Sequence, residues 1–261
     1  MGRRLGQHLL IRKSILDRIA DAACSLESGA PPPLVIEIGP GKGALTESLL
    51  ERAERVIAIE LDAFFVHYLR QKFQDPIAQG RLSIVEGDIL QTDLRPFGEA
   101  VIAGNLPYYI TSPILEKIFN LGKWTRALFL VQREVAHRIA AEPGSRDFGF
   151  LSVHSQLASR PEILFEVPRS AFRPPPKVDS AVVRLVPRDA LADFRLRDRA
   201  GFLEFASACF RQKRKTLRNN LAPAYGKEIV GALPEAARRA EQLGVAELVD
   251  LYRRLARPRA V

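Results

Sequence analysis

The sequence predicts a doubly wound α/β sheet with helices on both faces, followed by a small all-helical domain. Three observations carry this. Short, near-continuous apolar runs recur, each followed by a helical or loop stretch, as expected of parallel strands buried on both faces. The first run enters a glycine-rich turn and then an amphipathic helix, Ala44 to Arg52. Beyond Pro187–Asp193, which reads as a linker, the pattern is helical to the end.

The strands follow in order. Leu34–Gly39 (LVIEIG) comes after three prolines and leads into Gly39-Pro40-Gly41-Lys42-Gly43. Val56–Leu61 (VIAIEL) carries Glu60, 21 residues after Gly39. Leu82–Asp88 (LSIVEGD) ends in an acid, and Val101–Asn105 ends in Asn. Arg126–Val131, Ile163–Val167 and the alternating Val178–Val186 complete the set. Helices are expected after Ser14 (as a cap), over Pro113–Phe119, from Gln132 through Ala141, and over Leu151–Ser159. Glu142–Gly149 is a polar loop, and His137 and His154 read as structural. In the last part the helical stretches are Arg199–Arg211, Lys213–Leu221, Pro234–Leu243 and Ala246–Leu255. The division is thus residues 1–187 and 188–261.

Composition narrows the function classes. The chain has 261 residues, 47% hydrophobic and 26% charged, enough for one large domain and a small one. Its densest apolar run, Ala127–Val131, is far too short for a membrane span. No apolar signal core follows the basic N-terminus, and Gly6 stands where a myristoylation signal needs Ser or Thr. Two cysteines without metal-ligand spacing argue against a metal site or disulfide framework and for a reducing cytosol. Of the net +9 charge, most lies in the final 77 residues, with 16 Lys/Arg against 9 Asp/Glu. An excess of that kind points to a polyanionic partner.

The glycine turn, Glu60, Asp88 and Asn105 all fall at the carboxyl ends of strands, where doubly wound sheets bind ligands. Glycines let the backbone turn and approach a ligand closely, and an acid about 20 residues on suits ribose hydroxyls. The spacing is GxGxG rather than the pyrophosphate-binding GxGxxG. It fits an adenosine ligand without phosphate, such as S-adenosylmethionine, and a nicotinamide dehydrogenase is the competing reading. Gly39 and Gly41 would line the ligand, Glu37 would face its cationic amino-acid end, and Asp88 would accept from the adenine amine.

Gly104–Tyr109 (GNLPYY) is an unusual strand exit. Pro107 cannot donate to a ladder and pushes Leu106 toward an extended conformation. The turn therefore presents the Asn105 side-chain carbonyl and the Leu106 main-chain carbonyl, beside the ring of Tyr108. A planar group bearing an amine fits there; an ordinary strand-ending turn is the plainer alternative. Phe172 enters a rigid Pro-rich segment, Phe172–Ser180, and is either a stacking platform for a nucleobase or a core plug. Arg211, Lys213, Arg214, Lys215 and Arg218 form a basic run with no acid between them, read as a phosphate clamp or a solvated face.

With these pieces assembled the chain resembles the small-subunit rRNA adenine dimethyltransferases, the KsgA/RsmA family. The motifs run nearly end to end: LGQHLL, EIGPGKG, IELD, EGD, NLPYYITSP, FRPPPKVDS and KRKTLRNNL. The resemblance implies a Rossmann-like S-adenosylmethionine-dependent methyltransferase sheet with a helical, basic RNA-binding domain. It implies a cytoplasmic enzyme, a monomer, that transfers two methyls to each of two adjacent adenosines near the 3′ end of 16S rRNA, using no metal. Tyr108 and Phe172 would sandwich the base. The N-terminal segment would close over the methyl donor, which assigns His8 and Leu10 to the cofactor site, although His8 and Leu9 replace the family's Asn and Phe. Phe150 departs too, standing where the family often carries a polar or basic residue. Two alternatives share these features: a ribosome-assembly binding factor with secondary methylation, and a large-subunit (Erm-type) rRNA adenine methyltransferase.

Overall fold

The computed structural model describes residues 8–25 and 29–256. The Gly6-Gln7 part of the expected N-terminal lid lies outside the described residues. The chain packs as two units, residues 1–136 with 162–187, and residues 137–161 with 188–261.

In the first unit the elements are β1 (Leu9–Leu10), α1 (Lys13–Cys24), β2 (Val35–Ile38), α2 (Ala44–Leu50), β3 (Val56–Glu60), α3 (Ala63–Lys72) and α4 (Gln74–Ala78). There follow β4 (Leu82–Glu86), β5 (Val101–Asn105), α5 (Thr111–Phe119), β6 (Arg126–Gln132) and the start of α6 (Arg133–Ile139). After α7 (Phe150–Ala158), which packs with the second unit, come β7 (Ser159–Val167), β8 (Phe172–Arg173) and β9 (Ser180–Pro187). Seven strands form one sheet in the order β4-β3-β2-β5-β6-β9-β7. From β4 to β6 the pairing is parallel, and β9 runs antiparallel to β6.

Every residue of β2 and β3 is buried, which explains their unbroken apolar runs. Alternate residues face opposite sides. On one side Val35, Val56, Val101 and Leu128 meet Ile15, Leu16, Ile19 and Ala23 of α1 and Leu45 and Leu49 of α2 in a single core. Ile36, Ile57 and Ile102, one residue along, are equally buried, as are Ile114, Leu115 and Ile118 of α5. Each such side chain contributes roughly 1.5–3 kcal/mol when taken out of water. Arg126, at the start of the interior strand β6, ties α1 to the sheet, donating to the carbonyls of Ala22 and Ser25. The helix starts at Lys13 with Arg12 at its N-cap, so Ser14 lies in the first turn and is not the cap.

The second unit contains α7 and then α8 (Ala190–Phe194), α9 (Arg199–Cys209), α10 (Leu217–Tyr225), α11 (Lys227–Gly231) and α12 (Val245–Ala256). Phe148, Val153 and Leu157 pack with Phe202, Phe205, Leu217, Leu248 and Leu251. The boundary read at 187 is therefore incomplete, because residues 137–161 share this core. The expected linker holds the short helix α8, capped by Asp189 accepting from Leu191 and Ala192. Pro234–Leu243 is not a helix but turns with one 3-10 turn at Ala240–Gln242. Its backbone is drawn into pairing with the start of α10: Leu217 and Arg218 donate to Arg238 and Ala236, and Thr216 bridges Arg239. Among the described residues no helix is long and apolar enough to cross a membrane.

Candidate active site

The parallel strands deliver their carboxyl ends to one cleft. Gly39 and Gly41 after β2, Glu60 at the end of β3, Asp88 after β4, and Asn105, Leu106 and Tyr108 at the end of β5 all line it, together with His8. Gly104 permits this convergence, since a Cβ there would come within 2.7 Å of the Ile38 carbonyl on the neighbouring strand.

The acidic residues are held differently. Glu60, 3% exposed, has one carboxylate oxygen accepting from Gly41 N at 3.0 Å and the other from Leu61 N and Asp62 N at 2.9 and 3.0 Å. It thereby fixes the glycine turn as well as lining the cleft. Asp88 accepts from Leu90 N at 2.9 Å through one oxygen. Glu37 lies outside that cleft and lines a neighbouring cavity with Gly39, Lys42, Leu10 and Asn105. It is 1% exposed, and the Thr46 hydroxyl donates to it at 2.6 Å. Burial, with the charge of Glu60 adding, pushes its carboxyl up to about 7. A carboxylate so poorly compensated fits a ligand's cationic group. Gly41 lines the cleft at φ 55°, a left-handed conformation that favours glycine, so the turn presents bare backbone to a ligand there. Both features fit S-adenosylmethionine.

The strand exit is built as its sequence implies. Leu106 N still donates to Leu130 O at 3.0 Å, and Pro107 then ends the ladder. Ile110 N and the Thr111 hydroxyl both donate to Pro107 O and close the turn. The Asn105 amide donates to the His8 carbonyl at 3.0 Å. A carbonyl only accepts, so this bond fixes the amide's orientation and leaves Oδ1 as an acceptor. Among the described residues nothing donates to the Leu106 carbonyl. The Tyr108 hydroxyl bonds Ser180 Oγ at 3.2 Å, tying the turn to the Pro-rich segment. Burial raises its phenol above the ordinary value.

Two of the expected site residues also belong to the core. Phe172 is fully buried in the core with Leu10, Val167, Ala171 and Val182, and its ring is covered by them. The cause is β1, which pairs antiparallel with β8 and sets Leu10 opposite Phe172. Leu10, 5% exposed, is a core residue that also lines the neighbouring cavity, with Glu37 and Gly39. The ring that lies near-parallel to Tyr108 is His8, with centroids 5.9 Å apart and planes at 28°.

In the second unit Arg211, Lys213, Arg214 and Lys215 are exposed on a turn between α9 and α10, and Arg218 is exposed on α10. Sequence reasoning missed what shapes that turn. Asn220, 5% exposed, accepts from Gln212 N at 3.1 Å and donates to Cys209 O at 2.7 Å and Gln212 O at 3.2 Å. Lys213 donates to the carbonyl of Arg146, which brings the polar loop to the same turn. An Asn inside a basic run was the available signal. His154 is buried, and burial with the nearby Arg199 charge lowers it to about 4, so it is neutral near pH 7. Among the described residues no three His, Cys, Asp or Glu side chains gather as a metal-binding set.

Known proteins resemble this chain in sequence and in fold. A family model described as ribosomal RNA adenine dimethylase matches residues 2–257. Relatives named ribosomal RNA small subunit methyltransferase A are 43% identical in Acidobacterium capsulatum, over 97% of this chain and 90% of theirs, and 43% in Xanthomonas campestris, over 95% and 93%. A dimethyladenosine transferase from Plasmodium falciparum superposes with a TM-score of 0.78 at 26% identity, covering 95% of this chain and 96% of that one. The 23S rRNA methyltransferase ErmE superposes at 0.73, also at 26% identity, over 95% and 100%. With its strand-end acids, glycine turn and Asn-Leu-Pro-Tyr exit in one cleft, the chain belongs to the ribosomal RNA adenine dimethylase family.

Proposed function

We propose that this protein dimethylates the exocyclic amine of two adjacent adenosines near the 3′ end of 16S rRNA within the small ribosomal subunit, acting as a monomer in the cytoplasm. The observation that supports this most is the pair of acceptors at the end of β5, Asn105 Oδ1 and the Leu106 carbonyl, beside the Tyr108 ring. S-adenosylmethionine, when bound, supplies a methyl group on a sulfonium centre.

An adenine amine is a weak nucleophile because its lone pair is delocalised into the ring. Asn105 Oδ1 and the Leu106 carbonyl accept hydrogen bonds from its two N–H groups and draw it toward a tetrahedral shape. Tyr108 carries the ring, and its bond to Ser180 sets the tilt. Positioning of this kind supplies up to about 7–11 kcal/mol of a barrier. Glu60, Asp88, Gly39 and Gly41 hold the adenosine part of the donor, and Glu37 faces its cationic end. The exposed turn carrying Arg211, Lys213, Arg214 and Lys215, with Arg218, contacts RNA phosphates.

The 43% identity to relatives named ribosomal RNA small subunit methyltransferase A, over nearly the whole chain, favours the small-subunit substrate over the large. Asn105→Ala is expected to abolish methyl incorporation into undermethylated 30S particles while binding of S-adenosylmethionine, measured by calorimetry, stays within a few-fold of wild type. Wild-type incorporation by the variant, or a preference of the native enzyme for 23S rRNA, refutes the assignment.

A further inference from the structure

Resting on the adenine-methylation reading, we propose that Tyr109 is a stacking platform at the cleft entrance, whose ring receives the nucleobase that stays in the strand beside the target adenosine. Among the described residues the exposed aromatic side chains are Phe64, Tyr68 and Tyr109. Of these only Tyr109, 62% exposed, lines the cleft of Asn105, Leu106 and Tyr108.

The backbone fixes where that ring stands. Pro107, Tyr108, Tyr109 and Ile110 form one turn, closed at the Pro107 carbonyl, which accepts from Ile110 N at 3.1 Å and from the Thr111 hydroxyl at 3.2 Å. Proline stiffens its start, and α5 begins directly after it at Thr111. The two tyrosines in the middle of the turn part company. Tyr108 is half-buried and bonded to Ser180 Oγ at 3.2 Å, whereas Tyr109 stands in solvent. A ring held on a closed turn gives up little conformational freedom when a base lies on it.

The reaction supplies a use for it. To reach Asn105 and Leu106 the target adenine leaves its stack, and the base beside it loses a partner, which costs free energy. A π-face at the entrance replaces that partner, and it serves any base because stacking reads no hydrogen-bond pattern. Phe at position 109 therefore preserves the platform, and Ala or Leu removes it. A single ring covers only one side of the extruded nucleotide. The two target adenosines adjoin each other, so each has the other on the opposite side. Loss of the ring therefore falls unequally on the two.

The test uses the full-length protein with undermethylated 30S particles below KM and saturating S-adenosylmethionine. Initial methylation is followed at each adenosine by tandem mass spectrometry, and affinity for S-adenosylmethionine is measured separately by calorimetry. Tyr109→Ala and Tyr109→Leu are expected to slow one adenosine roughly ten-fold and the other by no more than about two-fold, with cofactor affinity within about two-fold of wild type. Tyr109→Phe is expected to restore both rates. Four results overturn the proposal: wild-type rates at both adenosines in Tyr109→Ala; equal slowing at both; a loss of cofactor affinity that accounts for the slowing, which makes Tyr109 a donor contact; or Tyr109→Phe as impaired as Tyr109→Ala. An inactive wild-type protein on these particles refutes the adenine-methylation reading instead, and is recognised before any variant is compared.

Discussion

Glu37 illustrates how far the fold can shift one residue's chemistry. In the unfolded chain its carboxyl ionises near the ordinary value of 4.5, whereas in the folded protein burial moves it to about 7. Between those values the folded state holds a proton that the unfolded state has lost, so this group's contribution to stability falls as pH rises from about 4.5 to about 7. Above that window the ionised, buried carboxylate costs on the order of 3 kcal/mol. Glu37→Gln keeps an acceptor for Thr46 and removes the charge. The ligand-free variant should match wild type in denaturant unfolding at pH 4.5 and exceed it by about 2–3 kcal/mol at pH 8. A cationic ligand reverses the balance. Wild type should bind S-adenosylmethionine increasingly tightly between pH 6 and 8, and the variant should show no such trend. Parallel stability curves for the two proteins would rule out a burdened Glu37.

At the scale of elements, the turn between α9 and α10 shows what was legible in the sequence and what was not. The strands were readable because each is a short apolar run flanked by turn residues, and the site acids were readable because they stand where those runs stop. Burial decided by distant partners was not. Phe172 is covered through Leu10, from the opposite end of its domain, and no local pattern distinguishes a plug from a platform. The basic run reads as a helix by periodicity, yet Asn220 satisfies the backbone at Cys209 and Gln212 and holds a turn in its place. Leaving such buried backbone groups unsatisfied costs roughly 1–3 kcal/mol each. Asn220→Ala should therefore speed amide exchange over residues 209–216 and weaken RNA binding several-fold, with cofactor affinity unchanged. Replacing Arg211, Lys213 and Arg214 with Ala should instead leave exchange intact and flatten the salt dependence of RNA binding, by about 0.7–0.9 in log–log slope per lost phosphate contact. If the triple variant binds RNA with the native slope, the turn is a solvated face.

At the scale of the molecule, the unit boundary separates two ways of dividing the chain. A cut after Pro187 follows the change from mixed α/β pattern to helical pattern in the sequence. It leaves behind residues 137–161, whose Ala141, Phe148, Val153 and Leu157 belong to the core built by α9, α10 and α12. Deprived of Phe202, Phe205, Leu217, Leu248 and Leu251, those side chains become an exposed apolar patch on α7 and the loop before it. Residues 1–187 expressed alone should thus bind a hydrophobic dye strongly and aggregate on concentration. Shortening residues 137–161 to a flexible linker in the same fragment should restore solubility, because the seven-stranded sheet keeps its own core of α1, α2 and the strands. Dye fluorescence and light scattering of the two fragments read this directly. Equal solubility would mean that α7 carries no apolar debt to the helical unit and that the contiguous division at 187 is the physical one.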